Sequence, residues 1–313
     1  MSYKNHKTFY ENASLELRPV KLEDAMKDYI RLRGLPVQKC SNRVLFCGIG
    51  STFGLQITDR FFLKHRLAVV RFRGVRSGRP TFHDYMRLGC RYPSEIRMYN
   101  MKRKEGRSHI QAMYNTFCIY YGSVNQFPPS IAMQLYLKYK PKCVLDFCAG
   151  WGGRLLGAMA LGINYIGADS NTDLQSAYSS MVRFVKPKSA VKMLFLDSSQ
   201  IDYSKLQYDM VFTSPPYIAP QHQPGKFFLN EEYSNMPEYS NADEFYNVFL
   251  FPVIIKTFQG LNSGGIYALN IPVTMYNRVC SVLGACNTKF KLPIRSRWKH
   301  VEYIEYIYVW YKL

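Results

Sequence analysis

The stretch from Lys142 to Asn171 reads KCVLDFCAGWGGRLLGAMALGINYIGADSN. It begins with a short apolar run that ends at Asp146, and a glycine-rich turn follows. A helical segment then starts near Leu155, and a second apolar run ends at Asp169. This order predicts one strand–helix–strand unit of an open, mostly parallel sheet, in which ligands lie at the carboxyl ends of the strands.

The glycines and the second acid of this unit predict a ligand that contains a nucleoside. Gly150 and Gly152 have no Cβ, so the backbone of the turn can approach a ligand closely. Asp169 lies 23 positions after Asp146, which fits a carboxylate that holds the hydroxyl pair of a ribose. A plain tight turn between a strand and a helix would show the same glycines, so a second motif is needed to decide.

That second motif is TSPPY at residues 213–217, directly after an apolar run from Tyr208 to Phe212. DFCAGWG at 146–152 resembles the S-adenosylmethionine motif of amino-methyltransferases. SPPY at 214–217 resembles their catalytic (Asn/Asp/Ser)-Pro-Pro-(Tyr/Phe) tetrapeptide. These enzymes methylate exocyclic amines of cytosine or adenine, mostly in DNA. The resemblance covers about residues 120–313 and implies S-adenosyl-L-methionine as the cofactor.

The resemblance implies an α/β fold, the seven-stranded Rossmann-like sheet of class I methyltransferases, with a basic N-terminal α+β extension. The sequence continues the pattern with apolar runs at 191–196, 266–271, 289–294 and 303–313, and the last two are expected to form an antiparallel pair at the edge of the sheet. Helices are expected at 23–32, 130–139 with Ser130 as cap, 174–185, 241–258 and 274–283. We predict a nucleic-acid-binding region at 1–108 and a methyltransferase domain at 109–313.

The resemblance also implies a cofactor site. Asp146 would lie under the amino-acid end of the cofactor, near the glycine turn, and Asp169 would hold the ribose hydroxyls. Asp197, with Ser198, would reach the adenine amine, and Phe127 would pack on the methionine end. Alone, each acid could simply cap a helix, but three in register beside a glycine turn favour a ligand. The other expected cofactor contacts are Cys148, Ala149, Gly150, Gly152 and Ser170. Two roles stay open for Arg154, an ion pair inside the domain or a contact with nucleic acid.

The SPPY tetrapeptide suits attack by a weakly nucleophilic amine. Ser214 and the Pro215 carbonyl would accept hydrogen bonds from the amine and free its lone pair for in-line attack on the methyl group. Pro215 and Pro216 keep the turn rigid because proline fixes φ. Tyr217 would stack on a base flipped out of the duplex. Neither a metal nor a covalent intermediate is needed.

Serine in the first position resembles cytosine N4 enzymes, whereas aspartate is usual in adenine N6 enzymes. The preferred prediction is therefore methyl transfer to cytosine N4 in DNA, and the turn sequence is most similar to methylases of phages and large DNA viruses. One alternative is adenine N6 in DNA, or an amine in RNA. Another is a non-catalytic nucleic-acid-binding protein on the same fold.

The charge of the chain predicts a polyanionic partner. The formal net charge is +19, and residues 1–110 hold 23 Lys and Arg against 9 Asp and Glu. Basic and aromatic residues interleave there, and a long loop follows SPPY at 218–239, as expected for nucleic-acid binding. A solvated basic face is the alternative. The expected nucleic-acid contacts are Arg71, Arg73, Arg76, Arg79, Lys102, Arg103, Lys104 and Lys226.

Other sequence features narrow the class of protein. No run approaches the ~20 apolar residues of a membrane span, and the first residues lack a secretory signal. The eight cysteines form no C-x-x-C pair, so we expect no zinc site and a reducing cytoplasmic or nuclear location. A second G-x-G pattern, VLFCGIGSTFG at 44–54, is interpreted as a decoy because no acid-ended strand follows at the right distance. Whether the protein forms a homodimer is left open.

Overall fold

The computed structural model describes residues 16–35, 52–71, 80–218, 229, 231–232, 237–292 and 305–313. Some of the predicted features fall elsewhere. Most of the second glycine pattern, Arg73, Arg76, Arg79, Lys226 and much of the loop after SPPY lie outside these residues, as does the side chain of Arg71.

Nine strands and a larger set of helices make up the described chain. The strands are β1 (Val70–Arg71), β2 (Cys143–Asp146), β3 (Asn164–Ala168), β4 (Val191–Leu194), β5 (Met210–Thr213), β6 (Glu231–Glu232), β7 (Ile266–Pro272), β8 (Thr288–Lys291) and β9 (Glu305–Tyr311). The helices are α1 (Leu22–Arg33), α2 (Leu55–Arg66), α3 (Phe82–Leu88), α4 (Pro93–Lys104), α5 (His109–Tyr120), α6 (Pro129–Tyr139), α7 (Gly153–Leu161), α8 (Gln175–Val185), α9 (Ala242–Glu244), α10 (Phe251–Gly260) and α11 (Val273–Leu283).

Seven of the strands form one sheet in the order β4-β3-β2-β5-β7-β9-β8. Strands β2, β3, β4, β5 and β7 pair in parallel, and β9 is antiparallel to both β7 and β8. The predicted seven-stranded, Rossmann-like sheet of class I methyltransferases is confirmed. Strands β3 and β4 lie on one side of β2, whereas β5 and β7 lie on the other, so the strand order reverses between β2 and β5. At such a switch point, the carboxyl ends of the two parallel strands form a crevice for a ligand.

Alternate residues of the central strands face two separate cores because side chains in a strand point to opposite faces. Val144, Met210 and Ala268 pack in one core with side chains of α1, α2, α6, α7 and α8. Leu145, Val211 and Leu269 pack in the other with residues of α10 and α11. The sheet is therefore covered on both faces, which explains why its central strands read as continuous apolar runs.

Helices from the N-terminal third share the core of the sheet domain. Tyr29 of α1 and Phe62 of α2 are buried in the same cluster as Val144. A third, smaller cluster joins Leu63 and Phe82 to Phe117 of α5. The described helices on either side of residue 108 are thus joined by continuous apolar packing.

Three details differ from the expected elements, and one expectation is confirmed. Strand β4 ends at Leu194 rather than at residue 196, because its partner β3 ends at Ala168, which pairs with Leu194. Ser130 is not the cap of α6: Pro128 holds that position and Pro129 begins the helix, a site that suits proline because its missing N–H is not needed there. The expected antiparallel pair at one edge of the sheet is confirmed as β8 and β9. The helix expected at 241–258 contains a π segment between α9 and α10.

A second, two-stranded sheet joins the N-terminal region to the loop that follows SPPY. Strand β1 pairs antiparallel with β6, with Val70 opposite Glu232. Ile218, directly after SPPY, bridges to Leu229. The two regions expected to contact nucleic acid are therefore tied together by backbone hydrogen bonds close in sequence to the SPPY tetrapeptide.

Candidate active site

The glycine turn lies at the carboxyl end of β2 and continues directly into α7. Gly150 and Gly152 have φ angles of +60° and +74°, a region that glycine enters without strain. Packing adds a second requirement at Gly153, where a Cβ would lie 2.0 Å from the backbone carbonyl oxygen of Phe127. The turn therefore needs glycine for its backbone shape and for the close approach of the segment before α6.

Asp169, at the end of β3, is the acid most directly joined to the turn. One carboxylate oxygen accepts the Gly150 N–H at 2.7 Å and the other accepts the Asn171 N–H at 2.9 Å. Asp169 is buried, and burial raises the pKa of its carboxyl to about 6 although both N–H groups lower it. Each oxygen keeps a lone pair for a further donor.

Asp146, the last residue of β2, is enclosed by side chains of the domain. It is fully buried, and its carboxylate accepts hydrogen bonds from Arg154 Nε at 2.7 Å and from the Tyr165 hydroxyl. Arg154 also donates to the Cys148 carbonyl oxygen at 2.5 Å. A buried carboxylate needs such a partner, because an unpaired charge is costly to remove from water. Asp146 is thus enclosed beneath the turn, and the ion pair decides between the two roles left open for Arg154. The expected place of Asp146 under the amino-acid end of the cofactor stays a prediction.

The side chains of Asp197, the third acid, and of its neighbour Ser198 form different hydrogen bonds. Asp197 is half-buried, and its side chain accepts the Ser199 N–H at 2.7 Å, which caps the short turn after β4. The Ser198 hydroxyl is buried and donates to the carbonyl oxygen of Phe147. The Ser198 hydroxyl therefore fixes the turn to the residue that follows β2, and the expected contact of Ser198 with an adenine stays a prediction. Asp197 keeps its place at the same edge of the sheet as Asp169.

The segment before α6 is anchored at both ends by the N-terminal region. The Tyr121 hydroxyl donates to Glu95 at 2.9 Å, and Gln126 Nε2 donates to Asp59 at 3.0 Å. Asp59 is also ion-paired with buried Arg66. Phe127 then lies against the turn, with the guanidinium carbon of Arg154 5.3 Å from its ring centre. The structure places Phe127 beside the glycine turn.

Three of the remaining expected contacts lie in or beside the turn. The Cys148 N–H donates to Thr213 Oγ1 at 3.2 Å, which links the turn to the strand that carries SPPY. Burial raises the pKa of the Cys148 thiol well above its ordinary value, so this cysteine is poorly suited to act as a thiolate nucleophile. The Ala149 N–H donates to the Ala168 carbonyl at 2.8 Å, and Ser170 is half-buried after β3.

The SPPY tetrapeptide follows β5 and is held by a hydrogen-bond chain. Ser214 Oγ lies 2.8 Å from the Tyr217 hydroxyl, which donates to the Asn270 backbone oxygen at 2.9 Å and to its Oδ1 at 3.1 Å. Pro215 is buried and Pro216 half-buried. The ring of Tyr217 is half-buried against the second core, so its hydroxyl end is turned toward β7.

Sequence reasoning missed three residues of this site. Asn270 lies within a strand that otherwise reads as apolar, and this polar interruption is the only signal in the sequence. Thr213 was quoted with the motif but given no role. Tyr178 donates to the Gly150 carbonyl oxygen at 2.8 Å, but nothing in its helical surroundings marks it.

Of the expected nucleic-acid contacts, three lie on described side chains at the end of α4. Lys102 is ion-paired with Glu105 at 3.0 Å, whereas Arg103 and Lys104 are exposed. Arg103 donates to the Arg107 carbonyl oxygen at 2.7 Å. The opposite side of α4 is anchored by Glu95, which is fully buried. The helix therefore presents basic side chains outward while its acid points into the protein.

Two kinds of feature are absent from the described residues. No helix within them is long and apolar enough to cross a bilayer. They also contain no group of three or more His, Cys, Asp or Glu placed to hold a metal ion.

No profile of a known family and no curated protein sequence matches this chain. Several solved structures are similar in fold. TrmN from Thermus thermophilus is 16% identical with a TM-score of 0.41, over 60% of this chain and 49% of its own. A putative RNA methyltransferase from Pyrococcus horikoshii is 18% identical with a TM-score of 0.38, over 60% of this chain and 86% of its own. A SAM-dependent O-methyltransferase from Thermotoga maritima is 14% identical with a TM-score of 0.40, over 66% of this chain and 72% of its own.

The match to TrmN spans about half the length of that protein. Likenesses this remote concern the fold and assign no substrate. The function is therefore inferred from the residues of the site.

Proposed function

We propose that this protein transfers a methyl group from S-adenosyl-L-methionine to an exocyclic amine of a nucleic-acid base, with cytosine N4 in DNA as the preferred acceptor. The observation that carries the proposal is the hydrogen bond between the Cys148 N–H and Thr213 Oγ1. It joins the glycine turn directly to β5, the strand that precedes SPPY. A donor site on the turn and an acceptor site on SPPY would therefore be neighbours.

The residues at the turn fit the proposed cofactor. Asp169 is a buried carboxylate with lone pairs left for the two hydroxyls of a ribose. Gly150 has no Cβ to block a ligand that rests on the turn, and Asp197 lies at the same edge of the sheet. When bound, the cofactor supplies an electrophilic methyl group on a sulfonium. We assign Asp146 a supporting role, since it holds Arg154 beneath the turn.

The acceptor side rests on Ser214 and the Pro215 carbonyl. Both would accept hydrogen bonds from the amine and draw its lone pair out of conjugation with the ring. The nitrogen would then form its bond to the methyl carbon as the carbon–sulfur bond breaks, and the extra amine proton would leave to solvent. A base in a duplex must flip out to reach such a site. Serine in this position supports cytosine N4, by its resemblance to cytosine N4 enzymes.

We place nucleic-acid binding on residues 1–108 and methyl transfer on residues 109–313. The net charge of the first region supports this division, because phosphate contacts supply much of nucleic-acid affinity. Arg97, Lys104 and Arg107 are exposed and have no acidic partner among the described residues. The pairing of β1 with β6 ties this region to the loop after SPPY.

Methyl-transfer assays test the proposal. The protein is incubated with methyl-labelled S-adenosylmethionine and, separately, duplex DNA, single-stranded DNA or RNA. We expect label in DNA, lost in Ser214→Ala while binding of S-adenosylmethionine is retained. Ser281→Ala, an exposed serine on α11, is the matched control and should transfer as wild type. Label in RNA alone would move the substrate to an RNA amine. No transfer to any of them, with nucleic-acid binding intact, would favour a non-catalytic binding protein.

A further inference from the structure

We infer that Tyr217, held by Asn270, makes Ser214 a hydrogen-bond acceptor toward the substrate and prevents it from acting as a donor. The inference rests on the proposed function and assigns Tyr217 and Asn270 as positioning residues for the amine. Its basis is the chain from Ser214 Oγ to the Tyr217 hydroxyl and on to Asn270, with distances of 2.8 Å and 2.9 Å.

A count of protons fixes the direction of this chain. A tyrosine hydroxyl carries one proton, and both oxygens of Asn270 that lie near it are acceptors only. The proton of Tyr217 therefore points to Asn270. The contact between Ser214 and Tyr217 can then form only if Ser214 donates. That donation uses the single proton of Ser214 and leaves its oxygen lone pairs for a substrate.

Burial makes the reverse direction unfavourable. Asn270 is 2% exposed, so its acceptor oxygens gain little from water. If Tyr217 donated to Ser214 instead, Asn270 Oδ1 would lose its donor, and a buried acceptor without a donor destabilises the fold.

The side chain of Asn270 is itself oriented. Its Nδ2 donates to the Tyr306 carbonyl oxygen on β9 at 3.3 Å, which turns Oδ1 toward Tyr217. Strand β7 pairs with β5 as far as Leu269 opposite Thr213, so Asn270 and Ser214 each follow the last paired residue. Ser214, directly after β5, and Asn270, within β7, are thus joined through Tyr217 by hydrogen bonds that run in one direction.

The consequence concerns the chemistry of serine. Asparagine and aspartate carry an oxygen that can only accept, but a serine hydroxyl can turn and donate. A hydroxyl that donated to the amine nitrogen would bind the lone pair that must attack the methyl group. Tyr217 removes this competing arrangement. Its hydroxyl therefore has a role separate from stacking of its ring on the base.

Tyr217→Phe separates the two roles because it keeps the ring and removes the hydroxyl. Once the labelled acceptor is known, kcat and KM for that acceptor are measured with saturating S-adenosylmethionine. We expect kcat to fall roughly 10-fold to 100-fold with KM changed less than about threefold, since only the orientation of Ser214 is lost. The matched control is Tyr276→Phe on α11, whose hydroxyl bonds Cys286, and it should behave as wild type.

A rescue experiment gives a second readout. Aspartate at position 214 supplies an acceptor that needs no partner, so Tyr217→Phe should change kcat less than about twofold in the Ser214→Asp background. Equal losses in both backgrounds, or a wild-type kcat for Tyr217→Phe, would overturn the inference. If Ser214→Asp is itself inactive, the split between kcat and KM in the single variant decides. If the wild-type protein transfers no methyl group, that result contradicts the proposed function and not this inference alone.

Discussion

Burial governs the chemistry of Asp169. It raises the pKa of this carboxyl to about 6, so the group is largely protonated at pH 5 and ionised above pH 7. In the free protein, a raised pKa means that the contribution of this group to folding stability is greatest at low pH and is lost as pH rises through 6. Ribose hydroxyls that donate to Asp169 favour the ionised form and should lower this pKa.

We therefore expect S-adenosylmethionine to bind more weakly as pH falls from 7 to 5, by up to roughly tenfold per pH unit below the pKa. Titration calorimetry at pH 5, 6, 7 and 8 measures this change and the proton released below pH 6. Asp169→Asn should bind roughly 10-fold to 100-fold more weakly at pH 7, because hydrogen bonds to a charged acceptor are lost, and its profile should be flatter. A flat wild-type profile would argue against a role for Asp169 in binding.

Gly153 tests the close approach of the segment before α6. A Cβ at this position would lie 2.0 Å from the Phe127 carbonyl oxygen, so Gly153→Ala must displace that segment. We expect a loss of about 1–3 kcal/mol in the free energy of unfolding together with weaker cofactor binding. Denaturant titration followed by fluorescence measures the first effect.

Gly34→Ala is the control for this substitution. Its nearest neighbour atom would be an ordinary 3.4 Å away, and its φ angle is −83°. We expect its stability to stay close to wild type. If Gly153→Ala is as stable as wild type, the contact between Gly153 and the Phe127 carbonyl oxygen is less close than in the structure.

At the scale of elements, β2 and α7 are joined by the buried pair of Asp146 and Arg154. Arg154→Met removes one partner and leaves a buried carboxylate without its cation. We expect a loss of about 3–5 kcal/mol in unfolding free energy, measured by urea titration. Lys205→Met, which breaks an exposed pair with Asp202, should leave the midpoint unchanged. A mild effect of Arg154→Met would contradict a stabilising role for this ion pair.

The parallel half of the sheet could be predicted from the sequence because its signals are local. Each strand was a short apolar run, and Asp146 and Asp169 marked where the first two end. The glycine turn could be predicted for the same reason, because both the backbone conformation of the turn and its packing require glycine.

The rest of the site depends on contacts that no local pattern records. Strands β1 and β6 are two residues each and lie about 160 positions apart in the chain, so neither has a periodicity to detect. The ion pair with Asp146 was only one of two roles that the sequence left open for Arg154. Asn270 acquires its role only through Tyr217, 53 positions earlier.

At the scale of the whole molecule, the exposed basic residues on and around α4 predict salt-dependent binding of nucleic acid. Replacing Arg91, Arg97, Lys104 and Arg107 by alanine should weaken binding. It should also reduce the slope of log affinity against log salt by about one for each side chain that binds a phosphate in the wild type. Cofactor affinity should not change. Fluorescence anisotropy with a labelled oligonucleotide at several salt concentrations measures the slope.

The matched control removes the same number of charges at and beside β4, an edge strand of the large sheet. Arg183, Lys186, Lys188 and Lys192 are exposed at the end of α8 and on β4. Their replacement by alanine should reduce affinity much less. Equal losses in the two quadruple variants would mean that net charge, and no particular face, attracts the nucleic acid.

The most direct test of the central claim is the identity of the methylated product. DNA treated with the protein and S-adenosylmethionine is digested to nucleosides, which are separated and identified by mass spectrometry against standards. We predict N4-methylcytosine, absent from the Ser214→Ala reaction. N6-methyladenine would support methyl transfer to an exocyclic amine but would show that the target base is adenine and not cytosine. A methyl group on a ring carbon or ring nitrogen, or none in any nucleic acid, would contradict the account.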